Sequence, residues 1–168
     1  AEGAEDVGLD EVLGAVDAAV DMAFGREVEH GARLVLGQQQ IDQFADVARD
    51  HQFIHVDPEA AKATPFGGTI AHGFLTLSML THLSAGTSSG PPDPAKFAGF
   101  LMGVNYGFNK VRFVNPVKSG ARIRARAGTA NVALKGSSID VTRNFTVEIE
   151  GEEKPALVAE WVTRTVYA

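Results

Sequence analysis

Residues 49–58, Arg-Asp-His-Gln-Phe-Ile-His-Val-Asp-Pro, place two histidines and two carboxylates within a few positions of one another. Asp50 and His55 flank a stretch that predicts a non-helical turn. Such a turn can bring both side chains to one point, where they would form an acid–base pair. An imidazole titrates near neutrality, and a carboxylate can hold the ring or take a proton from water. The same residues admit two other readings. His51 and His55 have the i, i+4 spacing of zinc ligands, with Asp57 as a third donor. Against this, Gln52 stands where the usual Glu would follow the first His, and Pro58 disfavours the helix that the spacing requires. Alternatively, the histidines cap the preceding helix or lie in solvent. The chain has no cysteine, which excludes thiolate nucleophiles, disulfides and cysteine–zinc sites. The reading carried forward has no metal centre.

A second constellation is residues 65–73, Pro-Phe-Gly-Gly-Thr-Ile-Ala-His-Gly. Glycines that lead into a buried helix leave free backbone N–H groups at the helix start. Together with the positive end of the helix dipole, these donors can hold a developing oxyanion. A plain loop-to-helix junction would use the same glycines for tight packing.

Both constellations need elements to position them. Leu9, Val12, Leu13, Val16, Val20 and Ala23 recur at helical spacing before Gly25, which predicts an N-terminal helix at about residues 9–24. Residues 32–36 form a short apolar run, expected as a strand. Ile41, Phe44, Ala45 and Ala48 predict a helix ending near Arg49. Residues 50–69 read as a long irregular segment, of the kind that commonly carries function. Thr69 to Ser84 is apolar on most sides and predicts one buried helix. Residues 86–94 are turn chemistry.

The remainder alternates as strands. Val104, Tyr106 and Phe108 share one phase, Val111 and Phe113 the other, so a bulge is expected near Asn109–Lys110. Ile123, Ala125 and Ala127 alternate with arginines, and Val141, Phe145, Val147 and Ile149 with polar residues. A last strand, residues 156–167, is apolar enough to be internal. Consecutive strands joined by turns imply an antiparallel sheet. One helix that is apolar on most sides needs a curved sheet to cover it, which makes the class α+β.

Length and composition agree with one globular domain over residues 1–168. The net charge of −6 argues against a nucleic-acid partner. No apolar run has the length of a membrane span, and the acidic first residues are unlike a signal peptide, so a cytoplasmic protein is expected. Residues 1–60 carry 14 acidic and 3 basic side chains, while residues 97–139 contain no Asp or Glu at all. Lys110, Arg112, Lys118, Arg122, Arg124, Arg126 and Lys135 all fall in the latter stretch. They form either a solvated strand face or a basic surface for an anionic ligand.

The run from Asp50 to Asp57, continuing to Ala71-His72-Gly73-Phe74, resembles the signature of the MaoC-like dehydratases, the R-specific enoyl-CoA hydratases. That signature is Asp, any residue, Asn, Pro, an aliphatic residue and His, followed by His-Gly at the start of the central helix. Residues 104–113 resemble the strand after that helix, and single-domain bacterial members of the nodulation-protein-N-like type are especially similar. The resemblance implies a hot-dog fold, a curved antiparallel sheet wrapped around the buried helix, and a homodimer. It implies that Asp50 and His55 polarise a water that adds to a trans-2-enoyl thioester, giving an R-3-hydroxyacyl thioester. The Gly73 amide would bind the thioester oxygen, and Gln52, in the place of the Asn, would orient the water or its partners. Phe53 departs from the Pro and adds bulk. The substrate would be an acyl-coenzyme A or acyl-carrier-protein thioester, with no separate cofactor. Lys110, Arg112 and Arg124 would then meet the coenzyme A phosphates. A hot-dog acyl-CoA thioesterase and a non-catalytic acyl-thioester binding module are the alternatives.

Overall fold

A computed structural model of the chain describes residues 32–84 and 99–168. The helix expected at about residues 9–24 and the turn-rich stretch 86–94 lie outside the described residues. The elements are β1 (Arg33–Leu36), α1 (Gln38–Ala48), α2 (Phe53–Val56), α3 (Pro58–Ala61), α4 (Gly73–Ser78), α5 (Leu80–Ser84), β2 (Phe100–Phe113), β3 (Ala121–Lys135), β4 (Ser138–Ile149) and β5 (Leu157–Tyr167). The described strands form one antiparallel sheet in the order β1-β3-β4-β5-β2. The last strand is therefore internal, as its apolar run predicts.

Period-two alternation gives the sheet two different faces. Ile123, Ala125 and Ala127 of β3, Phe145 and Val147 of β4, and Ala159 and Trp161 of β5 are buried on the inner face. Leu75 of α4 and Leu80 and Leu83 of α5 join them in one core. The small alanines leave depth on the sheet for the larger leucines of the helical segment. The sheet curls around this helical segment, which is the α+β hot-dog arrangement.

The helix itself differs from the expectation. It begins at Gly73 rather than Thr69, because the backbone at 69–71 pairs with residues 117–119: Ile70 bridges Lys118, and Ala71 N donates to Val117 O at 2.7 Å. It is also interrupted at Met79. Ser78 Oγ donates to Leu75 O at 2.7 Å, and Thr81 Oγ1 to Ser78 O at 3.0 Å. Hydroxyls that bond back to carbonyls one turn earlier compete with the helical ladder. Nor is the segment buried all round, since Phe74 is 70% exposed.

Strand β2 shifts register between Phe108 and Lys110, where the change of phase predicts a bulge. A further shift falls between Asn105 and Gly107. Gly107 has φ 152° there, a conformation that favours glycine. The shifts set Phe108 parallel to Trp161, with ring centroids 5.8 Å apart, and return Val111 opposite Ala159 on the inner face.

On the outer face, four side chains of the basic run pair with acids. Arg124 donates to Glu148 at 2.7 Å, and Arg126 bonds the same carboxylate. Arg122 pairs with Glu150 at 3.2 Å and Lys110 with Glu160 at 3.6 Å. Cations concentrated on β2 and β3 thus meet acids of β4 and β5 across the sheet. No helix among the described residues is long and apolar enough to cross a membrane.

If the leucines on α5 fill the depth left by the inner-face alanines, shortening one leaves a cavity. Leu80→Ala should cost about 2–5 kcal/mol, the range for buried leucines. Urea unfolding would give this as a lower midpoint at unchanged slope.

Candidate active site

Helix α1 ends at Ala48, and Arg49 takes φ 58° and ψ 30°. A left-handed residue with a Cβ is strained, and here it reverses the chain so that Asp50 N donates to Ala45 O at 3.1 Å. Asp50 emerges exposed. Its Oδ1 accepts the main-chain N–H of Gln52 at 3.4 Å. The chain then makes the single helical turn α2, with His55 N donating to Gln52 O at 2.9 Å and Asp57 N to Phe53 O at 3.0 Å. This turn carries the ring of His55 inward, to 7% exposure.

The His55 ring is fixed by a backbone carbonyl. Its Nδ1 lies 2.7 Å from Ile70 O. A carbonyl only accepts, so Nδ1 carries the hydrogen and Nε2 keeps its lone pair. Ile70 N donates in turn to Ile54 O at 3.0 Å, so bonds run both ways between the two segments. Burial, the largest effect, holds the imidazole below its ordinary pKa of 6.5; the Ile70 bond opposes this, nearby His72 adds to it, and the Asp50 charge opposes it again. The net lowering keeps the ring neutral, with Nε2 as an acceptor, at neutral pH.

His72 is 3% exposed, and its Nε2 donates to the main-chain oxygen of Asp50 at 3.0 Å. Its ring stacks on His55, with centroids 3.8 Å apart and planes 25° from parallel, while Phe44 lies 5.0 Å away. One donor atom from each of Asp50, His55 and His72 lies within 4.8 Å of the other two. Ring lone pairs lie in the ring planes, and nearly parallel planes do not converge on one point as tetrahedral metal ligation requires. The arrangement suits a water and its protons better. The other combination, His51, His55 and Asp57, is not assembled. His51 points outward to Asp46 at 2.9 Å, and the Asp57 carboxylate caps α3 by accepting from Glu59 N and Ala60 N at 3.0 Å each.

Gly73 follows His72 directly and opens α4. First-turn N–H groups have no acceptor within their own helix, so its amide is a donor at the edge of the cluster. A Cβ on Gly73 would lie 3.1 Å from the Phe113 ring. A larger residue there would require the Phe113 ring to shift by a few tenths of an ångström.

Other expected site residues are placed differently. Gln52 meets Asp50 through its main chain, and its side chain is at the exposed start of α2. Lys110, Arg112 and Arg124 stand on the outer face of the sheet, opposite the helical segment and away from Asp50 and His55. Arg124 is occupied by Glu148, while Lys110 and Arg112 line a shallow hollow with Asn144 and Glu160. The alternation that buries Val111, Ile123 and Ala125 turns these three side chains outward. The structure therefore does not bring them to the acid–base pair.

Sequence reasoning passed over Gln38. Its Nε2 donates to His55 O at 2.7 Å, and its Oε1 accepts from Thr69 Oγ1 at 2.6 Å. One amide thus joins α1, α2 and the loop before α4. These partners are separated by 17 and 31 positions, so no local pattern could have marked it.

Residues 19–150 match the family model described as the MaoC like domain. Nodulation protein N of Rhizobium leguminosarum bv. viciae is 49% identical over 148 residues, spanning 87% of this chain and 88% of its own. The 3-hydroxyacyl-thioester dehydratase Z of Mycobacterium tuberculosis is 43% identical over 145 residues, spanning 86% of this chain and 91% of its own. Among solved structures, an (R)-hydratase from A. caviae involved in PHA biosynthesis superimposes with a TM-score of 0.56 at 26% identity, covering 82% of this chain and 96% of that one.

The Gln38 clamp carries a stability prediction. Gln38→Leu would strip the His55 carbonyl and the Thr69 hydroxyl of their partner, which costs about 1–3 kcal/mol. Chemical denaturation should register that loss, and Thr69→Val should move stability the same way.

Proposed function

The chain belongs to the MaoC-like dehydratase family, and from that premise we propose that it is an enoyl-thioester hydratase acting on trans-2-enoyl-coenzyme A. The observation that carries this reading is the buried His55 ring: its Nδ1 is tied to Ile70 O, which leaves Nε2 as an acceptor, and a ring nitrogen lies within 4.8 Å of an Asp50 carboxylate oxygen. A pair so arranged can hold one water and take a proton from it.

In the proposed reaction the water oxygen bonds to the β-carbon of the enoyl group. One water proton passes to the Asp50–His55 pair, and a proton returns from the pair to the α-carbon. The carbon–carbon double bond becomes single and the thioester stays intact. Negative charge develops on the thioester oxygen as the β-carbon is attacked. The Gly73 amide is the proposed donor to that oxygen, stabilising the enolate-like transition state. By similarity to the family the product is the R-3-hydroxyacyl thioester, and the reverse direction is its dehydration.

The same reading includes a homodimer. β2 is the edge strand of the described sheet, 14 residues long. Leu101, Met102, Val104 and Tyr106 are exposed along it. A long apolar edge is a template for pairing with a second copy. Sedimentation at equilibrium should return twice the chain mass, and a monomer at micromolar concentration would refute this part.

The conjugated double bond of crotonyl-coenzyme A absorbs in the ultraviolet, and adding the protein should bleach it. Release of free thiol instead would identify a thioesterase. Binding without either change would identify an acyl-thioester binding module. Asp50→Asn and His55→Gln should each lower turnover at least ~10²-fold, the lower end for acid–base groups, with the circular dichroism spectrum retained. Near-wild-type rates in either would refute the roles assigned.

The acid limb of the pH profile follows from His55. Its lowered pKa keeps the base form populated as pH falls through 6.5. The midpoint of the acid limb of kcat/KM should therefore lie below 6.5, and a midpoint above it would contradict the assignment of the base.

A further inference from the structure

We propose that His72 is a positioning residue that fixes the main chain of Asp50 against the His55 ring and the Gly73 amide. The inference rests on the hydratase reading and goes beyond it, since it concerns a side chain that the acid–base step does not use.

The contacts of His72 run to both halves of the site. Its Nε2 donates to Asp50 O at 3.0 Å across 22 positions of sequence. Its ring lies face to face with His55 at 3.8 Å. Its own backbone is the N-cap of α4, so Gly73 is the next residue. One residue therefore touches the carboxylate's residue, touches the imidazole and carries the amide donor. The side chain makes no capping hydrogen bond to α4, which is the usual use of a polar residue at that place. It is directed instead to Asp50.

The chemistry of the ring supports a specific role. Because Asp50 O can only accept, Nε2 of His72 carries the hydrogen. Nδ1 is then a bare lone pair, buried and without a hydrogen-bond partner among the described residues. An unpaired buried polar atom is unfavourable. A residue needed only to fill space beside Phe44 and His55 would be apolar and would avoid that penalty. What an imidazole supplies, and an apolar ring does not, is the Nε2–H at the right reach.

Asp50 itself needs such a tether. It follows a left-handed residue, stands exposed, and its carboxylate is met only by the long contact from Gln52 N among the described residues. Without the bond from His72, the main chain of Asp50 itself would be held, among the described residues, by its own N–H alone. Displacement of a reacting group by about 1 Å can cost ~10²-fold in rate.

The test compares two amides that differ in reach. The amide nitrogen of Gln can stand where Nε2 stands, whereas that of Asn is too short to reach Asp50 O. His72→Asn should lower kcat for crotonyl-coenzyme A hydration on the order of 10- to 100-fold, with KM changed much less. His72→Gln should recover most of the rate. Equal kcat values in the two variants would overturn the proposal. A second measurement needs neither activity nor a variant: nitrogen-15 NMR of the wild-type imidazoles at pH 8 should find His72 as the Nε2–H tautomer. An Nδ1–H tautomer would overturn the proposal outright. Wild type that leaves the enoyl absorbance unchanged would remove the hydratase reading, and the tautomer would still decide His72.

Discussion

The hydrogen bond from His55 Nδ1 to Ile70 O, at 2.7 Å, is the constraint on which the site depends. It does three things together. It draws an imidazole into the interior, it selects which nitrogen keeps a lone pair, and it pins the turn at 53–56 to the strand-like residues before α4. The reciprocal bond from Ile70 N to Ile54 O makes the joint two-sided. Ile70 is in turn bridged to Lys118, so the position of His55 is set by the sheet connection rather than by its own loop. A residue on an irregular segment gains the rigidity of the scaffold in this way, which catalytic geometry requires.

The rest of the fold can be understood as support for that joint. The inner face of the sheet presents alanines at 125, 127 and 159, and the helical segment enters the depth they leave. Its start is fixed by two close approaches: residues 69–71 against 117–119, and Gly73 against the Phe113 ring. Phe113 ends β2, and β2 is aligned by its register shifts against β5. Sheet register therefore determines where the Gly73 amide stands. The outer face carries a different load. Its ion pairs are partly exposed and contribute modestly each, but across strands they match opposite charges and disfavour slipped registers.

Much of this was legible in the residues, and what was not has a physical reason. The end of α1 near Arg49, the alternation of β2 to β5 and the bulge after Phe108 are local patterns. The closeness of Asp50 and His55 was one of several arrangements that the intervening turn allows, and the family resemblance singled it out. The basic run left two readings open because the charge on β3 is balanced by acids 22 and 24 positions away, through a register that sequence spacing does not reveal. The helix start misled because Ile70 and Ala71 continue the apolar pattern of α4 while their backbone pairs with another segment. Gln38 and the Ile70 carbonyl stayed hidden for a related reason. A buried amide bonding to distant main chain has no period, and any residue type supplies a carbonyl.

The departures at Gln52 and Phe53 take on meaning within this frame. A proline at the first position of a helical turn presets φ and gives up only an N–H that has no partner there. Phe53 occupies that position in α2 and presets nothing. The turn must then be held from outside, and three contacts do so: Gln38 on the His55 carbonyl, Ile70 N on the Ile54 carbonyl, and Ile70 O on the His55 ring. The Phe53 ring is itself half-exposed, so it is not anchored by burial in the core. Nor does Gln52 replace the missing rigidity, since its contact with Asp50 runs through a backbone N–H that most residues would supply. The two substitutions thus leave the positions of Asp50 and His55 to tertiary contacts. A relative with proline at this position could lose one of those contacts with less effect on the turn than this chain would suffer.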